Sequence, residues 1–302
     1  NTKLLFEGSI LFIVLGQVIA EGNEAEWIEF DKYGSSMWGG IRVDNSVDQS
    51  IFRYVRVANA QNGTIAEYKA GGMKLINADA IISNCLFEDN WTSDNGGGLH
   101  IKSSQPQVSN TIFRNNVALD FGGGIYIQAH NVQLHDIDII GNFAAGGNSM
   151  GGGIGGTHSS YTCTDCNIIA NESDGAGGAH GGFNNFPTFI NCTIVNNKAC
   201  TDGSCSDNYG NGGAAISLQP AYGSSDGQSM NIINTIVWNN RDYDDENRWG
   251  YGEEQFNSIA IVQYNGDPIH VSHSNIQNFE LEIAEYYLSN GNDGGNPVAP
   301  VN

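Results

Sequence analysis

The sequence predicts an all-β fold, a single-stranded right-handed parallel β-helix of about eight coils. Three observations predict it: an Asn that recurs at regular intervals, apolar residues at fixed distances before that Asn, and a Gly-rich turn after it. A repeat of this length buries its apolar face only when neighbouring repeats stack on it. The apolar spacing within each repeat is two residues rather than 3.6, which is typical of strands. Right-handed crossovers are the general rule for parallel strands.

The recurring Asn closes each of six segments, at intervals of 26 to 29 residues and one of 43. The closing residues are Asn90, Asn116, Asn142, Asn171, Asn197 and Asn240. Three and eight residues before each of them stands an apolar residue, and both columns are predicted to point into the core. Six residues before it stands a short polar residue: Asn84, Asn110, Asp136, Asp165, Asn191 or Asn234. Asn and Asp suit bends, and stacked side chains are expected to form ladders along the solenoid axis.

A pair of glycines recurs once in each repeat, and it predicts a positive-φ turn into the next strand. The residue after the pair is expected to point inward, which gives a column of Met73, Leu99, Ile125, Ile154, Ala179 and Ala214. The next residue is expected to point outward, which gives Lys74, His100, Tyr126, Gly155, His180 and Ala215. Each coil is therefore predicted to hold about three short strands.

The repeats predict one β-helix domain over residues 1–290. Residues 1–70 fit irregular N-terminal coils and a cap, 71–256 the regular coils, 257–290 a last coil with a C-terminal cap, and 291–302 a linker or tail. The apolar stretch at residues 9–20 is interrupted by Gly16 and Gln17 and is too short to span a bilayer. It predicts two strands around a turn rather than a signal peptide, and the sequence predicts no membrane span.

Charge and cysteine content indicate which class of partner is disfavoured and which compartment to expect. The chain has 12 Lys and Arg against 33 Asp and Glu, a formal net charge of −21, which disfavours nucleic acid. Cys200 and Cys205 bracket a short polar loop and predict a local disulfide, hence a secreted or cell-surface, extracellular protein. For the other cysteines, core packing, a Cys163–Cys166 bridge and a Cys166–Cys192 bridge all remain open. The CTDC motif at Cys163–Cys166 also suits redox or zinc chemistry, but no second CxxC or His pair stands at zinc spacing.

The motifs resemble a known group. FEDN at Phe87 and FRNN at Phe113 alternate with GGGL at Gly96 and GGGI at Gly122. This alternation resembles the repeats of chlamydial polymorphic outer-membrane proteins and, more broadly, secreted right-handed β-helix proteins of the pectin-lyase-like superfamily, many from marine bacteria. The resemblance covers about residues 1–290. It implies the fold and leaves the function open, because this fold hosts lyases, hydrolases, adhesins and phage tailspikes.

The outward row offers candidate catalytic residues. Lys74, His100 and Tyr126 are expected on adjacent coils, with Lys102 and Gln128 beside them. Elimination on an acidic polysaccharide needs a base, an acid and a cation, and His100 or Lys102, Tyr126 and Lys74 supply these groups. His180 is a candidate binding residue further along the row. An ordinary solvated sheet face is the alternative interpretation.

Two long insertions, at residues 198–211 and 241–256, offer candidate binding and metal residues. Their aromatic residues suit sugar rings, and their carboxylates suit Ca²⁺. The aromatic set is Tyr209, Tyr243, Trp249 and Tyr251, and the metal set is Asp242, Asp244, Asp245 and Glu246. Surface insertions without a ligand are the alternative.

The sequence as a whole predicts a secreted β-helix that binds an extended polysaccharide or cell-surface glycan along its outer sheet face. If the protein is an enzyme, it would cleave this ligand. The cleaving form would be a lyase or a glycoside hydrolase, with Ca²⁺ as the candidate cofactor. We expect a monomer or a part of a larger multidomain protein. A non-catalytic surface adhesin or structural solenoid is the alternative function.

Overall fold

The structure is a computed structural model that describes residues 2–35, 38–62, 71–200, 213–219, 229–242, 259–261 and 269–277. All regular elements in these ranges are strands. In chain order they are β1 (Thr2–Phe6), β2 (Phe12–Val14), β3 (Ile19–Glu21), β4 (Ile28–Lys32), β5 (Ile41–Asp44), β6 (Ser50–Arg53), β7 (Val55–Ala58), β8 (Gln61–Asn62), β9 (Met73–Ile76), β10 (Ala80–Ser83), β11 (Leu86–Glu88), β12 (Trp91–Thr92), β13 (Leu99–Lys102), β14 (Gln107–Arg114), β15 (Val117–Ala118), β16 (Ile125–Gln128), β17 (Val132–Ile140), β18 (Phe143–Ala144), β19 (Ile154–Thr164), β20 (Asn167–Ile169), β21 (Glu172–Ser173), β22 (His180–Ile190), β23 (Thr193–Val195), β24 (Lys198–Ala199), β25 (Ile216–Gln219), β26 (Met230–Ile233), β27 (Ile236–Trp238), β28 (Arg241–Asp242), β29 (Ile259–Ile261), β30 (Ile269–Ser272) and β31 (Asn275–Ile276).

The strands stack in parallel into a solenoid, as predicted. The first face runs β2, β5, β9, β13, β16, the start of β19, the start of β22, β25 and β29. The second face runs from β3 through β6, β10, β14, β17 and the ends of β19 and β22 to β26 and β30. The third face runs from β1 through β4, β7, β11, β20, β23 and β27 to β31, with the ends of β14 and β17 between β11 and β20.

A fourth stack was not predicted. Seven two-residue strands (β8, β12, β15, β18, β21, β24 and β28) form their own parallel sheet, and all but β8 directly follow a closing Asn. Two residues per strand carry too little periodicity to be distinguished from a turn in the sequence.

The apolar columns form the core, as predicted. Phe87, Phe113, Ile139, Ile168, Ile194 and Val237 are at most 1% exposed, and Ile82, Val108, Leu134, Cys163, Phe189 and Ile232 are equally buried. The rings of Phe87 and Phe113 stack at 4.9 Å between centroids. Full burial of such a side chain is worth about 1.5–3 kcal/mol, so stacking the coils supplies the main stabilisation.

The two polar columns have different structural roles. The residues six before the closing Asn, from Asn84 and Asn110 to Asn234, have φ between 48° and 56°, which identifies them as the left-handed residues of a bend. Their side chains lie towards solvent. Asn191 Nδ2 donates to Asp165 Oδ1 at 3.0 Å, and Asn234 Nδ2 donates to Asn191 Oδ1 at 2.8 Å.

The closing Asn side chains form a buried ladder. Nδ2 of each residue donates to Oδ1 of the next, at 2.9 to 3.0 Å, from Asn90 to Asn240. Each Nδ2 also donates to a main-chain carbonyl of the preceding coil, as Asn142 does to Phe113 at 2.9 Å. The bend beside this ladder is made by the preceding residue, for example Asn115 or Asn196, which has the positive φ. The ladder members are at most 1% exposed and fully hydrogen-bonded, which makes a buried polar column tolerable.

The predicted inward column is wrong in its last two repeats, by one residue at Ala179 and by two residues at Ala214. His180 pairs with Ile154 and with Ile216, so these residues share the inward column and Ala179 and Ala214 do not. The reason is that the turn holds three small residues, and Ala179 occupies the third position that Gly98 and Gly124 fill in earlier coils. His180 therefore points into the core, fully buried, and the outward row continues through Gly181 and Ser217.

The two strands and the turn predicted within residues 9–20 are present. β2 and β3 lie on either side of the bend at Leu15 and Gly16, and both pair with strands of the next coil. Within the described ranges no helix is long and apolar enough to cross a bilayer. The residues beyond Gln277, which include the end of the predicted C-terminal cap and the tail at 291–302, lie outside the described residues.

Candidate functional site

The predicted catalytic row assembles on the first face. Lys74 pairs in register with His100, and His100 with Tyr126. The His100 and Tyr126 rings meet edge to face at 4.9 Å between centroids. The Tyr126 hydroxyl donates to Thr157 Oγ1 at 3.0 Å. The three side chains are only 8%, 5% and 5% exposed, so the row is not the open sheet face that the sequence suggested.

Loops that return from the Asn ladder cover this row, and glycines allow the close approach. Gly96 has φ of +75°, and a Cβ on it would lie 2.9 Å from His100 Cβ. A Cβ on Gly155, the next residue of the row after Tyr126, would lie 2.8 Å from Phe121 Cβ. The turns therefore lie directly against the outer face of the strands, where the row was predicted to meet substrate.

Burial controls the protonation of the covered row. Desolvation lowers the pKa of His100 well below its usual range, and the nearby Lys74 ammonium lowers it further. Neither ring nitrogen of His100 has a hydrogen-bond partner among the described residues. Desolvation also lowers the pKa of Lys74, against the attraction of Asp94, and raises the pKa of Tyr126. His100 is therefore neutral at pH 7 and Tyr126 keeps its proton.

A second outward row, two residues further along the strands, is accessible. It follows the register from Ile76 to Lys102 and Gln128, then Thr157, Phe183 and Gln219. Lys102 is exposed, and Gln128, Thr157 and Phe183 are half-buried. The Phe183 ring lies edge to face with Phe121 at 5.7 Å. We call Lys102, Gln128, Thr157 and Phe183 the outer groove row.

Phe183 was missed in the sequence because of the one-residue slip at His180. The correct offset from the inward column places Phe183 beside Thr157. His180, predicted to bind ligand from the outward row, instead lies in the core, where its Nδ1 is 3.0 Å from the Ile154 carbonyl oxygen.

The other candidate residues fall mostly outside the described residues. These are Tyr209, Tyr243, Trp249, Tyr251, Asp244, Asp245 and Glu246, while Asp242 ends β28 with only its backbone described. Cys200 is disulfide-bonded, and its predicted partner Cys205 lies outside the described residues. Of the open alternatives for the remaining cysteines, Cys163 and Cys166 form a disulfide, and Cys85 and Cys192 are free thiols.

Comparison with known families agrees with this geometry. Residues 39–221 match the family model described as the right-handed β-helix region. The chain belongs to the right-handed β-helix family. The match extends from just before β5 to just after β25 and establishes the handedness of the solenoid. No curated protein matches this β-helix protein. Its function must therefore be inferred from its own surface, since one fold hosts many activities.

Proposed function

We propose that this β-helix protein binds an extended, acidic polysaccharide along the outer groove row. The observation that carries the proposal is the register that sets Lys102, Gln128, Thr157 and Phe183 side by side on successive coils. Strands of a sheet lie about 4.8 Å apart, so a chain running along the axis meets a new side chain at each step.

Each member of the row suits one part of a uronate-containing chain. The Lys102 ammonium pairs with a carboxylate, and a charge-assisted hydrogen bond of this kind contributes about 1.5–3 kcal/mol. The Gln128 amide and the Thr157 hydroxyl suit sugar hydroxyls, and the Phe183 ring offers an apolar face for stacking. The net charge of −21 repels polyanions at long range, so binding is expected to depend on this local cation and on added salt.

An extracellular setting is part of the proposal. The Cys163–Cys166 disulfide and the bonded Cys200 support it, because disulfides persist mainly in oxidising compartments. Ca²⁺ is included in the binding assay because the sequence places Asp242, Asp244, Asp245 and Glu246 close together in one insertion.

The binding test is a glycan panel that includes alginate, pectin, ulvan and neutral polysaccharides, with and without Ca²⁺. Lys102→Ala is expected to weaken binding to the acidic ligand by about tenfold or more, and Phe183→Ala by several-fold. Lys3→Ala is the matched control, since Lys3 is another exposed lysine on the third face. Equal losses for Lys3→Ala and Lys102→Ala would place the ligand elsewhere.

Cleavage is tested on the same panel. A polysaccharide lyase would produce an unsaturated uronate with new ultraviolet absorbance, and a hydrolase would produce reducing ends without it. Lys102 is the exposed member of the four catalytic candidates, so Lys102→Ala should abolish any such activity. Absence of both binding and cleavage on every glycan would favour the alternative of a structural solenoid or an adhesin for a protein ligand.

A further inference from the structure

One segment of the core departs from the apolar rule. Tyr161, Cys163, Cys166, His180 and Cys192 lie in the interior of two adjacent coils, each at most 2% exposed. The residues that pair with His180 are Ile154 and Ile216. The solenoid therefore carries a local group of polar and sulfur-containing side chains next to aliphatic and aromatic core residues.

Three sulfur atoms converge in this group. The Sγ atoms of Cys163, Cys166 and Cys192 all lie within 4.8 Å of one another. Cys163 and Cys166 come from one bend, and Cys192 lies on the next coil, in the same column as Cys166. The free Cys192 thiol donates to the Cys163 carbonyl at 3.2 Å. Burial raises the pKa of Cys192 to about 11, so this thiol remains protonated beside the disulfide at neutral pH.

A second observation comes from the same two coils. The Tyr161 hydroxyl is buried and has no hydrogen-bond partner among the described residues. Burial raises the pKa of Tyr161 well above its usual range, and the nearby Cys192 raises it further. An unsatisfied buried hydroxyl costs about 1–3 kcal/mol. A thiolate in the cluster would accept this hydrogen bond and remove that cost.

We propose that the reduced protein binds a single soft monovalent cation, of which Cu⁺ is the type, on the Sγ atoms of Cys163, Cys166 and Cys192. Thiolate ligands select soft cations such as Cu⁺ and Zn²⁺. Structural zinc sites are closed by four ligands. Among the described residues the cluster has no fourth cysteine, histidine or carboxylate ligand within the same distance, which favours Cu⁺ over Zn²⁺.

The disulfide closes the site. Opening it takes two electrons and two protons, which convert the Cys163–Cys166 bond into two thiols while an external dithiol or phosphine is oxidised. Binding of Cu⁺ then releases the thiol protons of the ligating cysteines to water. Oxidising surroundings therefore keep the site closed, and reducing surroundings open it. This inference is independent of the proposed glycan binding on the outer surface.

The chain offers well-matched variants. Cys85 and Cys192 occupy the same buried column as Thr111 and Thr235, whose Oγ1 atoms donate to the carbonyl two residues earlier. Threonine is therefore a natural occupant of this column, and Cys192→Thr and Cys85→Thr should both fold. Cys85 has no second cysteine beside it in the described part of the chain, so Cys85→Thr is the control.

The experiment measures Cu⁺ affinity by competition with a chromophoric Cu⁺ chelator. The protein is unfolded, reduced with a phosphine, refolded without oxygen, checked by circular dichroism, and its thiols are counted. Wild type and Cys85→Thr are expected to bind one Cu⁺ with equal affinity. Cys192→Thr should bind it about a hundredfold more weakly or not at all. Tyr161→Phe should weaken it by about tenfold at unchanged stoichiometry, as loss of a partner that hydrogen-bonds a ligand does.

Several results would overturn the proposal. They are no tight Cu⁺ site in the reduced, refolded wild type, equal affinity in Cys192→Thr, or an equal loss in Cys85→Thr. Tight binding that persists after the Cys163–Cys166 disulfide is restored would likewise show that the cation lies elsewhere.

Discussion

Asn142 lies in the middle of the buried ladder, and Asn142→Ala tests the ladder's contribution to stability. Its Oδ1 accepts from the Asn116 main-chain N at 3.0 Å and from Asn116 Nδ2 at 2.9 Å. Its Nδ2 donates to the Phe113 carbonyl and to Asn171 Oδ1, each at 2.9 Å. Alanine removes all four bonds and leaves a small cavity in the buried ladder.

The expected loss follows from the groups left without partners. The Asn116 main-chain N–H loses its acceptor, while Asn116 Nδ2 keeps its bond to the Phe87 carbonyl. A buried group left unsatisfied costs about 1–3 kcal/mol, so one N–H without an acceptor and three groups that each lose one bond predict a loss of about 4 kcal/mol. Urea unfolding followed by circular dichroism measures it. Gln107→Ala, at an exposed position of β14, is the control and should change stability by less than about 0.5 kcal/mol.

The double variant Asn116→Ala with Asn142→Ala refines the test. Once Asn116 is truncated, its side-chain amide no longer needs the acceptor on Asn142. The loss of stability in the double variant should therefore be smaller than the sum of the two single-variant losses, by about 1 kcal/mol or more. A loss below about 1 kcal/mol for Asn142→Ala alone would refute the reasoning, because it would mean that water or a shifted backbone replaces the ladder.

Three further predictions concern the covered row and the core. The pKa of His180 is held at about 4 by burial, below its unfolded value of about 6.5, so the unfolded chain binds the proton first and stability falls as pH drops below 6.5. His180→Ile should reduce the acid-induced loss of stability by about 2.5 kcal/mol at pH 4.5 in urea unfolding. An acid dependence equal to that of the wild type would contradict it, since the buried His100 contributes its own dependence in both proteins. Gly122→Ala should destabilise the protein far more than Gly34→Ala. Both glycines have positive φ, but only a Cβ on Gly122 would meet a main-chain oxygen, that of Ile125 at 2.2 Å. Equal thermal unfolding temperatures of the two variants would contradict this close approach. His100→Phe, which replaces a buried neutral ring without partners, should keep or raise stability and leave glycan binding unchanged, and a loss of binding would show that His100 reaches the ligand.

The fold could be predicted from the sequence because the same residue types recur at each column position in successive coils. Six copies of Asn90 and its equivalents, with apolar residues at fixed offsets, determine which side chains stack, and the registers agree with them. The prediction failed in the two copies whose turn departs from the others. Ala179 stands where earlier coils have Gly98 and Gly124, so counting from the glycine pair moved His180 to the wrong side of the strand and hid Phe183.

The candidate site was harder to predict because its accessibility depends on loops. Alternation along a strand indicates that Lys74, His100 and Tyr126 face outward, and they do. Alternation does not indicate what lies on that face. Only the close approach of Gly96 and Phe121 to the strands shows that the returning turns cover it. The accessible surface lies two residues further along, at Lys102 and Gln128.

Departures from the repeat mark the positions where stability alone does not explain the residue. A leucine or isoleucine at His180 would continue its column and leave no unsatisfied nitrogen, and phenylalanine at Tyr161 would leave no unsatisfied hydroxyl. Each unsatisfied group costs about 1–3 kcal/mol. A solenoid tolerates such a local cost because its stability is close to a sum over coils and their interfaces, so apolar neighbours hold a polar coil in place. Both departures lie in the two coils that also bring Cys163, Cys166 and Cys192 together. Their coincidence is expected if these coils hold an ion and is unexplained if the core serves packing alone.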